Sequence, residues 1–455
     1  MRPEKMTSNS EKAVTLCEYG YLGFESGDGI EQISESAFIY LEGLALSEED
    51  ERKLFQFRKK NYQKVLQVQN YAGVILTPDG TQIEILPKIG RERETEEEIE
   101  KARSSLLIML KALGTFDHLK TENAEIEKQK KPLLEIFISQ FLQSVKTLVR
   151  QGLRSDYVPR EDSLFFCKGK LDLKQQLRQN FIQKQRFYCH YDEFLLDRPA
   201  NRLIKSALLK VRHFMRESAN QKMWQELRFV FDEIPESRNV QSDFSALKMG
   251  RGMAYYDVPL KWCRLILEGF TPLTMKGKNN AFSLLFPMEK VFESYVEKML
   301  KKHVPVSYWV KGQARQHYLT QHNNKDFFLL KPDLLLKNKD EKTVFILDTK
   351  CKLLSEAEDK YGISQSDFYQ MFAYGNTYFE TGMQERKMFL IYPSHKEFEL
   401  NEKIQDLKVF NFPKSKGLQL FIVPFEIKPA NEKPNCLDKI FAELNAETAQ
   451  KGQSA

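Results

Sequence analysis

Residues 327–352 read FFLLKPDLLLKNKDEKTVFILDTKCK, and this stretch decides the fold of the C-terminal part of the chain. Two apolar runs flank a polar segment at residues 337–342, a pattern that is typical of two strands joined by a turn. The sequence therefore predicts a β-hairpin whose strands are apolar and whose turn is charged.

The hairpin's register predicts which polar residues meet. If it is symmetric about the bond between Asp340 and Glu341, Asp333 lies opposite Asp348. Opposite residues of an antiparallel pair share a face, and Lys350 returns to that face two residues after Asp348. Two carboxylates and one amine are therefore expected at the open end of the hairpin.

This arrangement is costly unless something compensates the charges. Like charges placed opposite each other destabilise a sheet, and neighbouring carboxylates raise each other's pKa unless a cation intervenes. Mg²⁺ accepts carboxylate oxygens and keeps room for water and phosphate, and a nearby lysine can orient the attacking water. The alternative interpretation is an exposed hairpin whose charges are simply solvated.

One helix is predicted before the hairpin and one after it. Residues 286–302 form the first, with Pro287 suited to its first turn and Glu293 inside it. The second covers residues 366–374, capped near Ser366 or Asp367, and places Gln370 and Tyr374 on one face because they are four residues apart. The ordinary alternatives are packing and capping for Gln370 and Tyr374, and a solvent-facing charge for Glu293.

The order of these elements resembles the PD-(D/E)xK nuclease core, in the branch with a Q-x-x-x-Y helix after the lysine. The resemblance implies an α/β fold with a mixed sheet flanked by helices. Apolar strands predicted at residues 388–393 and 418–424 fit such a sheet.

Motifs along residues 70–395 resemble McrC proteins, the nuclease subunits of McrBC-type 5-methylcytosine-specific restriction systems. These motifs are IEILPKIG at 83–90, Gly152-Leu153 with Tyr157, GKLD at 169–172, CHYDEF at 189–194 and RPANR at 198–202. Cys351 departs from the family, which often has an aromatic residue there, and should alternate away from the catalytic face.

The resemblance implies a magnesium-dependent endodeoxyribonuclease that cleaves double-stranded DNA carrying the modification. Asp333 and Asp348 would bind Mg²⁺, Glu293 would add an inner or outer ligand, and Lys350 would position the water. Gln370 and Tyr374 would support the site or hold the DNA backbone. The implied partner is a McrB-like AAA+ GTPase ring, which binds the GTP and is stimulated by this chain.

The length of 455 residues predicts several domains. We expect a strand-rich partner-binding domain at 1–115, a mostly helical middle region at 116–275, the nuclease domain at 276–430 and a polar tail at 431–455. Residues 271–280, which contain Pro, Gly and paired Asn, are the best candidate for a linker.

Composition excludes several other classes of protein. The six cysteines are scattered without a C-x-x-C pair, which argues against a zinc ribbon or an iron–sulfur cluster. No apolar segment of the sequence approaches the length of a membrane span. The polar N-terminus lacks the apolar region of a secretory signal, so we expect a cytoplasmic protein. No G-x-x-x-x-G-K-[ST] motif occurs, so no nucleotide site is expected in this chain. The formal charge of +6 is compatible with phosphate contact.

Other functions stay open at the level of sequence. One is a stand-alone DNA repair nuclease, which would cut without a ring partner or GTP. Another is a catalytically silent activator or adaptor of an AAA+ GTPase, and a third is a phage-defence scaffold of unknown activity.

Overall fold

The protein is described here from a computed structural model. The described residues are 13–47, 54–88, 95–113, 116, 119, 131–250, 252–268, 283–355, 359–380, 382–400, 407–429 and 431–452. The chain forms two compact units, the first made of residues 1–130 with 271–455 and the second of residues 131–270. The candidate linker at 271–280 lies outside the described residues. The four domains that the sequence predicts stay predictions.

The secondary structure alternates between strands and helices through most of the chain. The N-terminal segment contains β1 (Ala13–Cys17), β2 (Tyr21–Gly23), β3 (Glu31–Gln32), α1 (Glu35–Ser47), β4 (Phe55–Lys60), β5 (Gln63–Val68), β6 (Tyr71–Leu76), β7 (Gln82–Leu86) and α2 (Glu96–Leu110). The second unit contains α3 (Leu133–Gln151), β8 (Asp156–Leu164), β9 (Lys170–Leu171), α4 (Leu173–Gln179), β10 (Phe187–Leu195), α5 (Pro199–Val211), α6 (Ser218–Val230), α7 (Val240–Ser245) and α8 (Asp257–Glu268).

The C-terminal segment completes the first unit. It contains β11 (Ser283–Pro287), α9 (Met288–His303), β12 (Tyr308–Gly312), β13 (His317–His322), β14 (Lys325–Leu330), β15 (Leu334–Asn338), β16 (Thr343–Thr349), α10 (Gln365–Thr377), β17 (Arg386–Pro393), β18 (Lys408–Asn411), β19 (Leu418–Phe425) and α11 (Cys436–Gly452). Short 3₁₀ turns lie at Arg212–Phe214, Ala254–Tyr256 and Asp359–Gly362.

The main sheet is mixed, as the sequence predicts. Its strand order is β12-β15-β16-β17-β19-β18. Strand β17 is parallel to both β16 and β19, and the other neighbouring pairs are antiparallel. All seven residues of β16 are buried, as expected for a strand covered on both faces. The predicted mixed α/β fold is therefore confirmed.

Both faces of the sheet are covered by helices. Leu335, Ile346 and Met388 share a buried core with Met371 and Tyr374 of α10. Residues one position away point to the other face, where Phe389 packs between Phe345 and Phe421, with ring centroids 4.8 and 5.0 Å apart. Helix α9 follows Pro287 and joins this second face through Phe292, 6.5 Å from the ring of Phe425.

The first apolar run of the quoted stretch is divided between two hairpins, which the sequence did not predict. Residues Lys325–Leu330 pair with His317–His322, and only Leu334–Asn338 pair with β16. Pro332 lies at the break, because proline has no N–H to donate to a ladder. The predicted cap of the helix after the lysine is also corrected, since Ser364 caps α10.

N-terminal strands and the C-terminal segment share one sheet, with strand order β1-β7-β6-β11. Strand β11 pairs with β6 and leads directly into α9. Gly73 lies in this pairing at φ +140°, and a Cβ there would be 1.9 Å from the carbonyl oxygen of Leu284. The close approach of these two strands therefore requires glycine.

Candidate active site

The hairpin places Asp333 and Asp348 at the same end. Leu334 pairs with Leu347 and Leu335 with Ile346, which is the register that the sequence predicts. A bulge between Leu336 and Lys337 shifts the register toward the turn, so the symmetry holds only at the open end. Asp333 precedes the first of these pairs, and Asp348 follows on the partner strand.

Asp333 is held by two residues that the sequence analysis missed. The backbone N–H and the hydroxyl of Thr349 both donate to Oδ2 of Asp333, each at 2.7 Å. The N–H of Gln313 donates to the carbonyl oxygen of Asp333 at 2.6 Å. Because both side-chain bonds go to Oδ2, the carboxylate has a fixed orientation. The Asp-Thr-Lys order gave a signal for Thr349, but none existed for the distant Gln313.

Lys350 is held by the helix with the Q-x-x-x-Y pattern. Its Nζ lies 2.6 Å from Oδ2 of Asp348 and donates to Oε1 of Gln370 at 3.0 Å. Gln370 Nε2 donates to the hydroxyl of Tyr374 at 2.7 Å, and that hydroxyl donates to the carbonyl oxygen of Lys331 at 3.0 Å. This chain of bonds connects the lysine to the segment that carries Asp333.

Burial and neighbouring charges shift the pKa values of Asp348 and Lys350. Asp348 is 1% exposed, and burial raises its pKa to about 7, with the charge of Asp333 acting in the same direction and Lys350 opposing it. Burial alone would lower the pKa of Lys350, but the Asp348 carboxylate outweighs it and raises that pKa. Lys350 therefore stays protonated at neutral pH.

Glu293 lies in the same cleft but is held separately. Its Oε1 accepts a hydrogen bond from Nε2 of Gln313 at 3.2 Å. Burial and the charge of Asp333 raise its pKa. Within the described ranges, no three Asp, Glu, His or Cys side chains form a group able to hold a metal ion. Direct coordination by Glu293 stays a prediction.

The two aspartates nevertheless fit a magnesium ion. Oδ2 of Asp348 is buried and, apart from its ion pair with Lys350, has no hydrogen-bond partner among the described residues. Mg²⁺ is usually held by one or two carboxylates and completes its shell with water and phosphate oxygens. Asp333 and Asp348 would be the ligands in that arrangement.

The site opens into a cleft of about 1050 Å³. One wall comes from the N-terminal strands and their flanking loops, a contribution that local sequence patterns did not predict. The cleft is lined by Tyr19, Ala45, Phe55, Gln56, Phe57, Gln69, Asn70, Tyr71, Pro287, Glu289, Lys290, Glu293, Gln313, Arg315, Lys331, Pro332, Asp333, Asp348, Thr349, Lys350 and Gln370. Four of these side chains are cationic and four are carboxylates, so both metal-binding and phosphate-binding groups face the cleft.

Cys351 lines a different cavity from its neighbour Lys350. This second cavity, of about 460 Å³, is also lined by Glu18 and Lys352. Burial raises the pKa of Glu18 to about 8 and that of Cys351 well above its usual value. Lys350 and Cys351 therefore line different cavities, which fits the predicted alternation of their side chains.

The family motifs of the second unit have structural contacts. Gly169 has φ +75°, and a Cβ there would be 2.4 Å from the carbonyl oxygen of His190. Asp172 caps α4 and contacts His190. Nδ2 of Asn201 donates to the carbonyl oxygens of Arg154 and Leu196. These residues hold the unit together.

The comparison with protein families matches most of the chain. Residues 66–393 match the family described as McrBC 5-methylcytosine restriction system component. The chain belongs to this family. Its matched region includes Asp333, Asp348, Lys350, Gln370 and Tyr374.

One curated protein and one solved structure are also similar to the chain. The chain is 25% identical over 186 residues to the type IV methyl-directed restriction enzyme EcoKMcrBC of Escherichia coli (strain K12), which is 40% of this chain and 52% of that protein. The chain thus spans about half the length of this curated relative. A chain in the refined half-complex from a tetradecameric assembly of Thermococcus gammatolerans McrB AAA+ hexamers with bound McrC shares the fold. It is 18% identical with a TM-score of 0.67, and the match covers 91% of this chain and 95% of that one.

None of the described helices is both long and apolar enough to cross a membrane.

Proposed function

We propose that this McrBC-family chain is the McrC-type subunit, a Mg²⁺-dependent PD-(D/E)xK endonuclease that cleaves double-stranded DNA. The observation that carries the proposal is the grouping of Asp333, Asp348 and Lys350 at the end of one hairpin. Lys350 Nζ lies 2.6 Å from Asp348 and is oriented by Gln370. Carboxylates paired with a lysine in this way suit hydrolysis of a phosphodiester.

Each residue has a role that follows from its contacts. Asp333 and Asp348 would hold Mg²⁺, which when bound supplies Lewis-acid activation of water and charge for the phosphate. Lys350 acts as a hydrogen-bond donor to the attacking water and as a cation beside the phosphate, because its raised pKa keeps it protonated. Gln370 and Tyr374 fix the position of the ammonium group.

The cleft suits duplex DNA as substrate. Lys290, Arg315 and Lys331 line it together with Lys350, and cationic side chains neutralise backbone phosphates. The cleft has a volume of about 1050 Å³. The 5-methylcytosine context is supported by the family description and by the methyl-directed relative.

A McrB-like AAA+ GTPase ring is the proposed partner, which would also bind GTP. The second unit carries large apolar side chains that are exposed, as in surfaces that bind other proteins. We call them the apolar surface; they lie outside the 1–115 segment that the sequence predicts as partner-binding, on β8, β10, α4 and their loops, and comprise Tyr157, Phe165, Phe166, Leu173, Leu177, Phe181, Ile182 and Phe194. The similar fold in an assembly with McrB hexamers supports this choice of partner.

The test is the substitution Asp348→Asn in the complex with the GTPase partner. We expect DNA cleavage in the presence of GTP and Mg²⁺ to fall by at least about 100-fold, because the metal loses a charged ligand. Stimulation of the partner's GTPase should stay unchanged. Asp340→Asn, on the exposed turn of the same hairpin, is the matched control and should cut normally.

Three outcomes would contradict the proposal. Undiminished cleavage by Asp348→Asn would remove the assigned site. A wild-type chain that stimulates GTPase but never cuts would be a silent activator. Cutting by the purified chain without partner or GTP would indicate a stand-alone nuclease.

A further inference from the structure

Strands β13 and β14 form a two-stranded ribbon separate from the main sheet. Asn323 and Asn324 connect the strands at φ +48° and +59°, a conformation that favours a tight hairpin turn. Along both strands, every residue is exposed except Leu329 and Leu330 at the base. Beyond its base the ribbon therefore has two open faces, and Leu330 at the base joins the core of the unit.

The base of the ribbon is fixed to the helix that orients Lys350. Tyr378, at the C-terminal end of α10, donates through its hydroxyl to the carbonyl oxygen of Leu330 at 2.9 Å. The ring of His317 packs edge-on against Tyr378, with centroids 4.7 Å apart. One helix thus anchors both the ribbon and, through Gln370, the ammonium group of Lys350.

The ribbon also continues directly into the catalytic segment. Leu330 is its last residue, and Asp333 follows three residues later. The Tyr374 hydroxyl holds the carbonyl oxygen of the intervening Lys331 at 3.0 Å. A molecule bound along the ribbon would therefore have a defined position relative to the two aspartates.

The cationic side chains near the ribbon fit a polyanion. Lys325 lies in the ribbon and Arg315 and Lys331 lie just beyond its base, whereas Asp326 is the single carboxylate between residues 315 and 331. That carboxylate accepts a hydrogen bond from Nε2 of Gln321 at 2.7 Å. Arg315 and Lys331 also line the cleft, so the positive charge continues from the ribbon to the site.

Its dimensions fit a groove of the double helix. Six residues per strand extend about 20 Å, and the major groove of B-DNA, about 12 Å wide, admits a two-stranded ribbon. Thr320, His322 and the two turn asparagines offer hydrogen-bonding groups near the tip. These groups are the kinds that contact phosphates and base edges.

We propose that the β13–β14 ribbon is an arm that enters a groove of duplex DNA and places the scissile phosphate at Asp333 and Lys350. This inference rests on the proposed nuclease function and names how the site takes its substrate. The arm sets the distance between the contacted base pairs and the cut.

The test measures duplex binding without cleavage, by fluorescence anisotropy of a labelled duplex in EDTA with the full chain. Replacing residues 320–327 with Asn-Gly shortens the arm but keeps a two-residue turn. We expect this variant to bind at least about tenfold more weakly at 50 mM KCl than the wild type. Lys325→Ala should reduce the slope of log affinity against log salt by about 0.9, the effect of one phosphate contact.

The matched control is Lys339→Ala, an exposed lysine at the turn of the β15–β16 hairpin, which should bind like wild type. Thermal melting and GTPase stimulation report whether the shortened variant is folded. Because EDTA prevents cutting, binding tests the arm even if the chain proves not to be a nuclease.

Equal duplex affinity of the shortened and wild-type chains would overturn the arm. A lower molar mass by light scattering with unchanged DNA binding would instead assign the ribbon to contacts between copies of the chain, which also overturns it. A wild-type chain that fails to bind duplex at 50 mM KCl overturns the arm, whereas the nuclease is judged separately by the cleavage test in the complex with the GTPase partner. Loss of affinity in a chain that never cuts DNA would support the arm and refute the nuclease.

Discussion

The hairpin end at Asp348 and the apolar surface of the second unit depart from ordinary burial in opposite ways. Asp348 is a carboxylate with 1% of its surface exposed, whereas Ile182 is an aliphatic side chain that is 91% exposed. Each is unfavourable in the isolated chain, because buried charges lose hydration and exposed apolar groups order water. A bound cation would relieve the first cost, and a bound protein would relieve the second. The contrast assigns the proposed metal-dependent chemistry to the hairpin end and the proposed partner contact to the apolar surface.

The largest expected effect is on stimulation of the partner's GTPase when the apolar surface is changed and the hairpin end is not. The double substitution Phe181→Asp with Ile182→Asp should reduce stimulation of the partner's GTPase by about 100-fold or more, because charged groups replace two candidate anchors of the contact. The melting temperature should hardly change, since both side chains are exposed. GTP turnover titrated with the variant is the measurement.

Phe229→Asp provides the control for that comparison. Phe229 is 84% exposed in the same unit but lies on α6, away from the apolar surface in sequence. Its substitution should leave stimulation intact. If both variants lose stimulation equally, or neither does, the apolar surface has no specific role in the partner contact.

An intermediate effect concerns Mg²⁺ and pH. The pKa of Asp348 in the fold, about 7, lies above its unfolded value, so the metal-free fold gains stability from protonation at low pH and loses it as pH rises toward 7. Metal binding requires the ionised form, so affinity should rise with pH and be about tenfold weaker at pH 6 than at its plateau. Mg²⁺ at about 100 times its dissociation constant should add about 2.7 kcal/mol to the free energy of unfolding.

Thermal melting with and without Mg²⁺ at pH 6 and pH 8 checks this expectation. Wild type and Asp340→Asn should be stabilised more at pH 8, and Asp348→Asn at neither pH. A Mg²⁺-induced shift that persists in Asp348→Asn would place the metal elsewhere.

The smallest expected effect tests how the lysine is held. Tyr374→Phe removes the hydroxyl that accepts from Gln370 and donates to Lys331, so the free energy of unfolding should fall by about 1–3 kcal/mol. Cleavage should fall less than in Asp348→Asn, while stimulation of the partner is unchanged. Denaturant titration and cleavage rates are the measurements.

Tyr369→Phe serves as the comparison on the same helix, because Tyr369 is 66% exposed and its hydroxyl accepts a hydrogen bond from Gln365 of that helix. It should change neither stability nor cleavage appreciably. An equal loss in both variants would mean that the Gln370–Tyr374 bond has no special role.

The sequence by itself determined the local geometry of the candidate site. Alternation along β15 and β16 set the pairing of Leu334 with Leu347, and the four-residue spacing of Gln370 and Tyr374 put them on one helical face. These are consequences of the strand and helix periods, which are properties of neighbouring residues.

Only the tertiary structure decided which distant segments complete the site. Gln313 reaches Asp333 through its backbone. Residues 55–57 and 69–71 supply a wall of the cleft, and residues 327–330 leave the predicted hairpin to pair with β13. Loop closure and packing across the fold select such partners, and periodicity within a short window carries no information about them.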